Sequence, residues 1–198
     1  MDPERNILFV NACVREGSRT LMLANRVLSH LDGSVAEFNL EREGLRPLTR
    51  ESLARREALL AAGDRSDPML APALAFAAAD EIVLAAPYWD LSFPASVKTW
   101  IEHINCVGLT FAYGPDDLPY GLCRAKRLFY VMTAGGPILP PNEGYSYVDT
   151  LCKTFYGIPT VQLFSAACLD IRGADVDAIM KKANAEIDGY FADDDRII

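Results

Sequence analysis

The chain has 198 residues, a net charge of −8 and an apolar fraction of 51%. That length leads to the expectation of one domain spanning residues 1–198 with an ample core, and the acidity argues against nucleic acid or an anionic membrane as partner. The five cysteines (13, 106, 123, 152, 168) include no C-x-x-C pair and are joined only by His30 and His103, so no metal site is expected.

Taken in chain order, Asn6–Asn11 reads as a buried strand. Arg19–Leu31 reads as a helix with Leu21, Ala24, Leu28 and Leu31 on one face, closed by Asp32-Gly33. Val35–Leu40 alternates as a second strand, and Glu41–Thr49 is a charged loop. Arg50–Ala62 and Pro68–Ala79 are helical patterns. Glu81–Ala86 is a third strand; Pro94–Cys106 is a helix with Pro94 in its first turn and Val97, Ile101 and Ile104 inward. Gly108–Leu122 reads as a loop rich in Gly, Pro and aromatic residues. Leu128–Thr133 is a fourth strand, Tyr145–Tyr156 a helix and Thr160–Ala166 a fifth strand. Asp175–Phe191 closes the chain as a helix with Val176, Ile179, Ala183, Ile187 and Tyr190 on one side, and disorder is expected only in the tail Asp193-Asp194-Asp195.

Near-continuous apolar strands alternating with helices predict a parallel sheet covered on both faces. Five strands, without G-x-G-x-x-G after the first, predict an α/β, flavodoxin-like three-layer sandwich with strand order 2-1-3-4-5. Ligands of such sheets bind at the switch point between the first and third strands. No apolar run approaches a membrane span. The odd cysteine count and the lack of a secretory leader point to a reducing cytoplasm.

Three loops at strand ends carry the functional signal. The first, Cys13-Val14-Arg15-Glu16-Gly17-Ser18-Arg19-Thr20, joins a strand to a helix start, which offers free N–H groups to an anion. Taken alone it fits three readings equally: a helix cap at Ser18, a cofactor phosphate site, or a phosphatase-like C-x5-R with Cys13 as nucleophile and Arg19 as clamp. The second, Pro87-Tyr88-Trp89-Asp90-Leu91, places two aromatics between Pro87 and Pro94, a surface on which a flat ring could stack. The third, Thr133-Ala134-Gly135-Gly136, permits close backbone approach to a ligand. Together they describe a site for a phosphorylated planar aromatic molecule, the shape of FMN.

In these three motifs the chain resembles the FMN-dependent NAD(P)H:quinone/azo oxidoreductases. Leu109-Thr110-Phe111-Ala112-Tyr113, Gly121 and Phe155-Tyr156-Gly157-Ile158 extend the resemblance over nearly the whole chain. It implies FMN as cofactor and NAD(P)H as co-substrate, with two electrons passed to a small quinone, azo or nitroaromatic acceptor in a ping-pong cycle. Ser18, Arg19 and Thr20 would hold the phosphate. The backbone around Pro87, Tyr88, Trp89, Asp90 and Leu91 would line the isoalloxazine, and Thr133, Ala134, Gly135 and Gly136 would face it from the other side. A homodimer is implied, with the loop around Phe111 and Tyr113 shaping the pocket. Asp90, Tyr88 and Tyr113 are candidates for substrate contact, and Asp90 stands where many relatives have Asn. A phosphatase would need a late Asp-Pro pair, whereas those present are Asp2-Pro3 and Asp67-Pro68. A non-enzymatic flavodoxin-type carrier would be smaller and strongly acidic around its flavin.

Overall fold

Strand β1 (Asn6–Asn11) is the axis of the molecule, which a computed structural model describes over residues 5–194. It pairs in parallel with β2 (Ser34–Asn39) on one side and β3 (Glu81–Ala85) on the other. Beyond a small antiparallel hairpin, β4 (Phe111–Tyr113) with β5 (Pro119–Gly121), come β6 (Arg127–Thr133) and β7 (Thr160–Ala166). The sheet order β2-β1-β3-β6-β7 is the expected 2-1-3-4-5 once the hairpin is set apart.

The apolar runs sort by parity, because successive strand residues face opposite sides. Ile7, Phe9, Val83, Ala85, Phe129 and Val131 form one core with α1 (Arg19–Leu28) and α7 (Val176–Asp194). Leu8, Val10, Ile82, Leu84, Leu128 and Tyr130 form the other. There they meet α4 (Ala71–Ala78), α5 (Ala95–Ile104) and α6 (Glu143–Leu151). Helices α2 (Leu40–Glu43) and α3 (Arg50–Ala62) lie between β2 and α4 in the chain. The expected boundary of α3 holds because Thr49 and Ser52 form a reciprocal capping box.

Elsewhere the boundaries move for local reasons. Helix α1 ends at Leu28, since His30 and Leu31 tighten into bonds to the carbonyls of Val27 and Leu28. Its buried face is Thr20, Leu23, Ala24 and Val27, with Leu21, Leu28 and Leu31 at its margins. Pro68–Leu70 forms a 3-10 turn before α4, because Pro72 has no N–H to offer the Pro68 carbonyl. Asn142 caps α6 through the Tyr145 N–H, and a π-helical turn, Cys152–Tyr156, ends at Gly157 in the left-handed region. Leu40 starts α2 rather than ending β2, with Asn39 as its cap. Of the expected disordered tail, Asp193 and Asp194 belong to α7, and Asp195 lies outside the described residues. Among the described residues no helix is long and apolar enough to cross a membrane.

Helices α1 and α7 are tied by Asp188, whose Oδ1 accepts from Arg26 Nε at 2.6 Å and lies 2.8 Å from His30 Nε2. The hydrogen bond from Arg26, then that from His30, pulls the Asp188 carboxyl down to about 2. A lowered carboxyl pKa stabilises the fold above its unfolded value of about 3.9, and that stabilisation is lost as pH falls toward 2. The melting-temperature gap between wild type and Asp188→Asn should therefore be open at pH 6 and close between pH 4 and pH 2. A gap independent of pH across that window would exclude the linkage.

Candidate functional site

The connections leave β1 and β3 on opposite sides of the sheet, and a cavity of about 460 Å³ lies at that switch point. Its walls follow the C-terminal ends of β1, β3, β6 and β7. Of the residues singled out in the sequence, Ser18, Arg19, Thr20, Pro87, Tyr88, Trp89, Thr133, Ala134 and Gly135 line it. Asp90, Leu91, Gly136 and Tyr113 do not. Leu169 and Asp170, which follow β7, do line it and carry no local sequence signal.

The first loop leaves a run of backbone N–H groups open to a ligand. Buried Asn11 starts it by accepting the Cys13 N–H at 2.9 Å while its amide donates to Glu37. From Val14 to Thr20 no backbone N–H meets a protein acceptor among the described residues. Gly17 sits at φ +66°, where a side chain is strained, and turns the chain into α1. Ser18 caps α1 by accepting the Leu21 N–H at 3.3 Å. A hydroxyl that accepts still has a hydrogen to donate, so cap and ligand contact are compatible.

Two side chains of this loop are engaged within the chain. The Thr20 side chain is buried and its hydroxyl lies 2.6 Å from that of Thr133, tying the first loop to the third. One of the pair's two hydrogens is spent there, which leaves one for the cavity. Arg19 lines the cavity with part of its guanidinium engaged. Its Nη1 donates to Asp170 Oδ1 at 2.8 Å and to the Leu169 carbonyl at 3.3 Å.

The second loop is a tight turn. Trp89 and Ser92 exchange N–H bonds at 3.1 and 2.8 Å around Asp90 (φ +50°) and Leu91 (φ +66°), a hairpin turn of the I′ kind. The Tyr88 N–H goes to the Thr133 carbonyl at 3.0 Å. Of the donors expected to read a ring edge, Tyr88 and Trp89 are thus committed, and Asp90 and Leu91 remain. Tyr88 packs its ring against the core, and its hydroxyl, like that of Tyr130, is buried without a hydrogen-bond partner among the described residues. Asp90 and Tyr113 are exposed.

The third loop is fastened from outside. The N–H groups of Leu169, Asp170 and Cys168 take the carbonyls of Ala134, Gly135 and Gly136. A Cβ on Gly135 would lie 2.4 Å from Asp170 Oδ2, so this glycine admits a carboxylate rather than a ligand. At Gly136 the space is open, and the N–H groups of both glycines have no acceptor among the described residues.

The geometry is hostile to a phosphatase. Cys13 is buried in the core, outside the cavity lining, and burial pushes its thiol up against a smaller opposing pull from Ser18. A nucleophilic thiolate needs the opposite shift. Wild-type protein should hydrolyse aryl phosphates no faster than Cys13→Ser; hydrolysis that disappears on that substitution would restore the phosphatase reading.

Comparison with known proteins points the same way. A family described as having a flavodoxin-like fold matches residues 5–191. An FMN-dependent NADH:quinone oxidoreductase of Coprothermobacter proteolyticus is 31% identical over 91% of this chain and 94% of its own length. Another, of Caldicellulosiruptor saccharolyticus, is 31% identical over 86% of this chain and 89% of its own. Among solved structures, an azoreductase from Bacillus anthracis has a TM-score of 0.79 at 21% identity, covering 94% of this chain and 98% of that one. An FMN-dependent NADH-azoreductase from the same species, in complex with FMN, has a TM-score of 0.77 at 16% identity, covering 95% and 98%. At those identities the structures speak to the fold.

Proposed function

Because the chain belongs to this family of flavodoxin-like fold, we propose that it is an FMN-dependent NADH:quinone and azo oxidoreductase. The observation that carries the reading is the convergence of three loops on one cavity whose floor holds unpaired N–H groups at a helix start. One domain carries the whole site. The N–H groups of Val14 to Thr20 and the Ser18 hydroxyl hold the FMN phosphate, aided by the dipole of α1. Of the uncommitted N–H groups, that of Gly135 belongs to the cavity wall and is the donor left to meet the polar edge of the ring, whereas Asp90, Leu91 and Gly136 lie outside the lining.

When bound, the flavin supplies two-electron transfer from NADH or NADPH to a quinone, azo or nitroaromatic acceptor, the two substrates using the site in turn. The chain's part is to bind, orient and screen. No residue is assigned as a general acid or base: the Tyr88 hydroxyl is buried, while Asp90 and Tyr113 lie outside the cavity lining. Protons reach the acceptor from solvent through the open mouth. Exposed Trp89, Leu91, Tyr113, Leu118 and Tyr120 suit the buried face of a homodimer beside the site. Five free cysteines suit a reducing cytoplasm.

Titrating FMN into the purified protein should quench flavin fluorescence to a one-to-one endpoint, and the complex should oxidise NADH when a quinone is added. Folded protein that leaves FMN fluorescence unchanged would refute the function.

A further inference from the structure

The phosphate cradle is built without net charge. Four acidic or basic side chains line the cavity: Arg15 and Arg19 against Glu16 and Asp170. Asp170 is held where it acts. Its N–H donates to the Gly135 carbonyl at 2.9 Å, and its Oδ2 occupies the space a Cβ on Gly135 would need. Its Oδ1 takes one hydrogen of Arg19 Nη1, and the Leu169 carbonyl takes the other. The arginine nearest the start of α1 is therefore both neutralised and partly spent.

A phosphate monoester carries about −1.5 to −2 charges at pH 7. Entering this cavity, it meets a fixed carboxylate whose partner cation is already balanced. Its binding then rests chiefly on neutral donors, the N–H groups of Val14 to Thr20 and the Ser18 hydroxyl, with Arg15 offset in the lining by Glu16. We propose that Asp170 is a specificity-determining residue that restrains phosphate affinity, so that FMN is held exchangeably and loading follows the free FMN concentration. This inference rests on the FMN reading of the site. Asp170 lies 151 positions from Arg19 in the chain, so the charge balance is a property of the fold.

The test measures dissociation constants for FMN and riboflavin, by flavin fluorescence at low and high salt, in wild type and Asp170→Asn. Asn preserves the size of the side chain and the acceptor for Arg19 but removes the charge. FMN affinity should rise about tenfold at low salt. The gain should shrink as salt is raised, and riboflavin affinity should not change. Arg19→Gln, which leaves Asp170 unbalanced, should shift FMN affinity in the opposite direction. If wild type prefers FMN to riboflavin but Asp170→Asn binds FMN no more tightly, or Arg19→Gln binds it no more weakly, Asp170 does not restrain the phosphate and the site reading stands. If wild type binds riboflavin as tightly as FMN, the phosphate is not in this cradle and both fall.

Discussion

Gly121→Ala should cost the fold about 3 kcal/mol or more, a fall in melting temperature of roughly 6–12 °C. A Cβ at this position would lie 2.1 Å from the Gly157 nitrogen and the Tyr156 carbonyl carbon and 2.2 Å from the Tyr156 oxygen. All three are backbone atoms, and none can swing away as a side-chain tip could. Gly157 is itself at φ +70°, with its own Cβ position 3.2 Å from the Gly121 Cα. The added methyl must push the β4–β5 hairpin off the π-helical turn. That turn places buried Cys152 and Tyr156 in the core, and the Tyr156 hydroxyl donates to Asn105 at 2.7 Å. Gly136→Ala is the control: its Cβ would meet nothing within 4 Å and its φ is ordinary, so its melting temperature should stay near wild type. Equal melting temperatures for the two variants would mean that the close approach at Gly121 is not a constraint.

Ser18→Ala combined with Thr20→Ala should weaken FMN binding by roughly 1–3 kcal/mol, about 5- to 150-fold. The structure divides this loss. Thr20→Ala unhooks the first loop from Thr133, whereas Ser18→Ala removes both a helix cap and a donor hydrogen. Ser18→Asp separates the last two roles. Aspartate caps a helix as well as serine, so the melting temperature of the flavin-free protein should hold. Its carboxylate offers no hydrogen and repels an anion, so FMN affinity should drop to that for riboflavin or below. FMN affinity unchanged in Ser18→Asp would place the phosphate elsewhere.

Several features of the molecule are legible from local patterns. Parity in Ile7-Leu8-Phe9-Val10 assigns side chains to two faces, which calls for helices on both sides of the sheet. The run of strands and helices sets the sheet order, and that order puts the functional loops after β1, β3 and β6. Thirteen residues of those loops line the cavity because chain order alone brings strand ends together at the switch point. The hairpin inside Gly108–Leu122 escapes such reading, since strands of three residues are too short to show a period.

Which donors and charges remain for a ligand is a different kind of fact. The Tyr88 N–H is spent on Thr133, the Thr20 hydroxyl faces Thr133, and Arg19 is held by Leu169 and Asp170. Each of these bonds joins residues far apart in the chain. Composition, spacing and periodicity describe what a segment can offer. Long-range hydrogen bonds and ion pairs consume part of that offer, and only the packed tertiary structure decides which part. So the sequence by itself determined the sheet order and brought the candidate loops to one cavity. The tertiary structure added the wall after β7, turned Asp90 out to solvent and balanced the charge of the cradle.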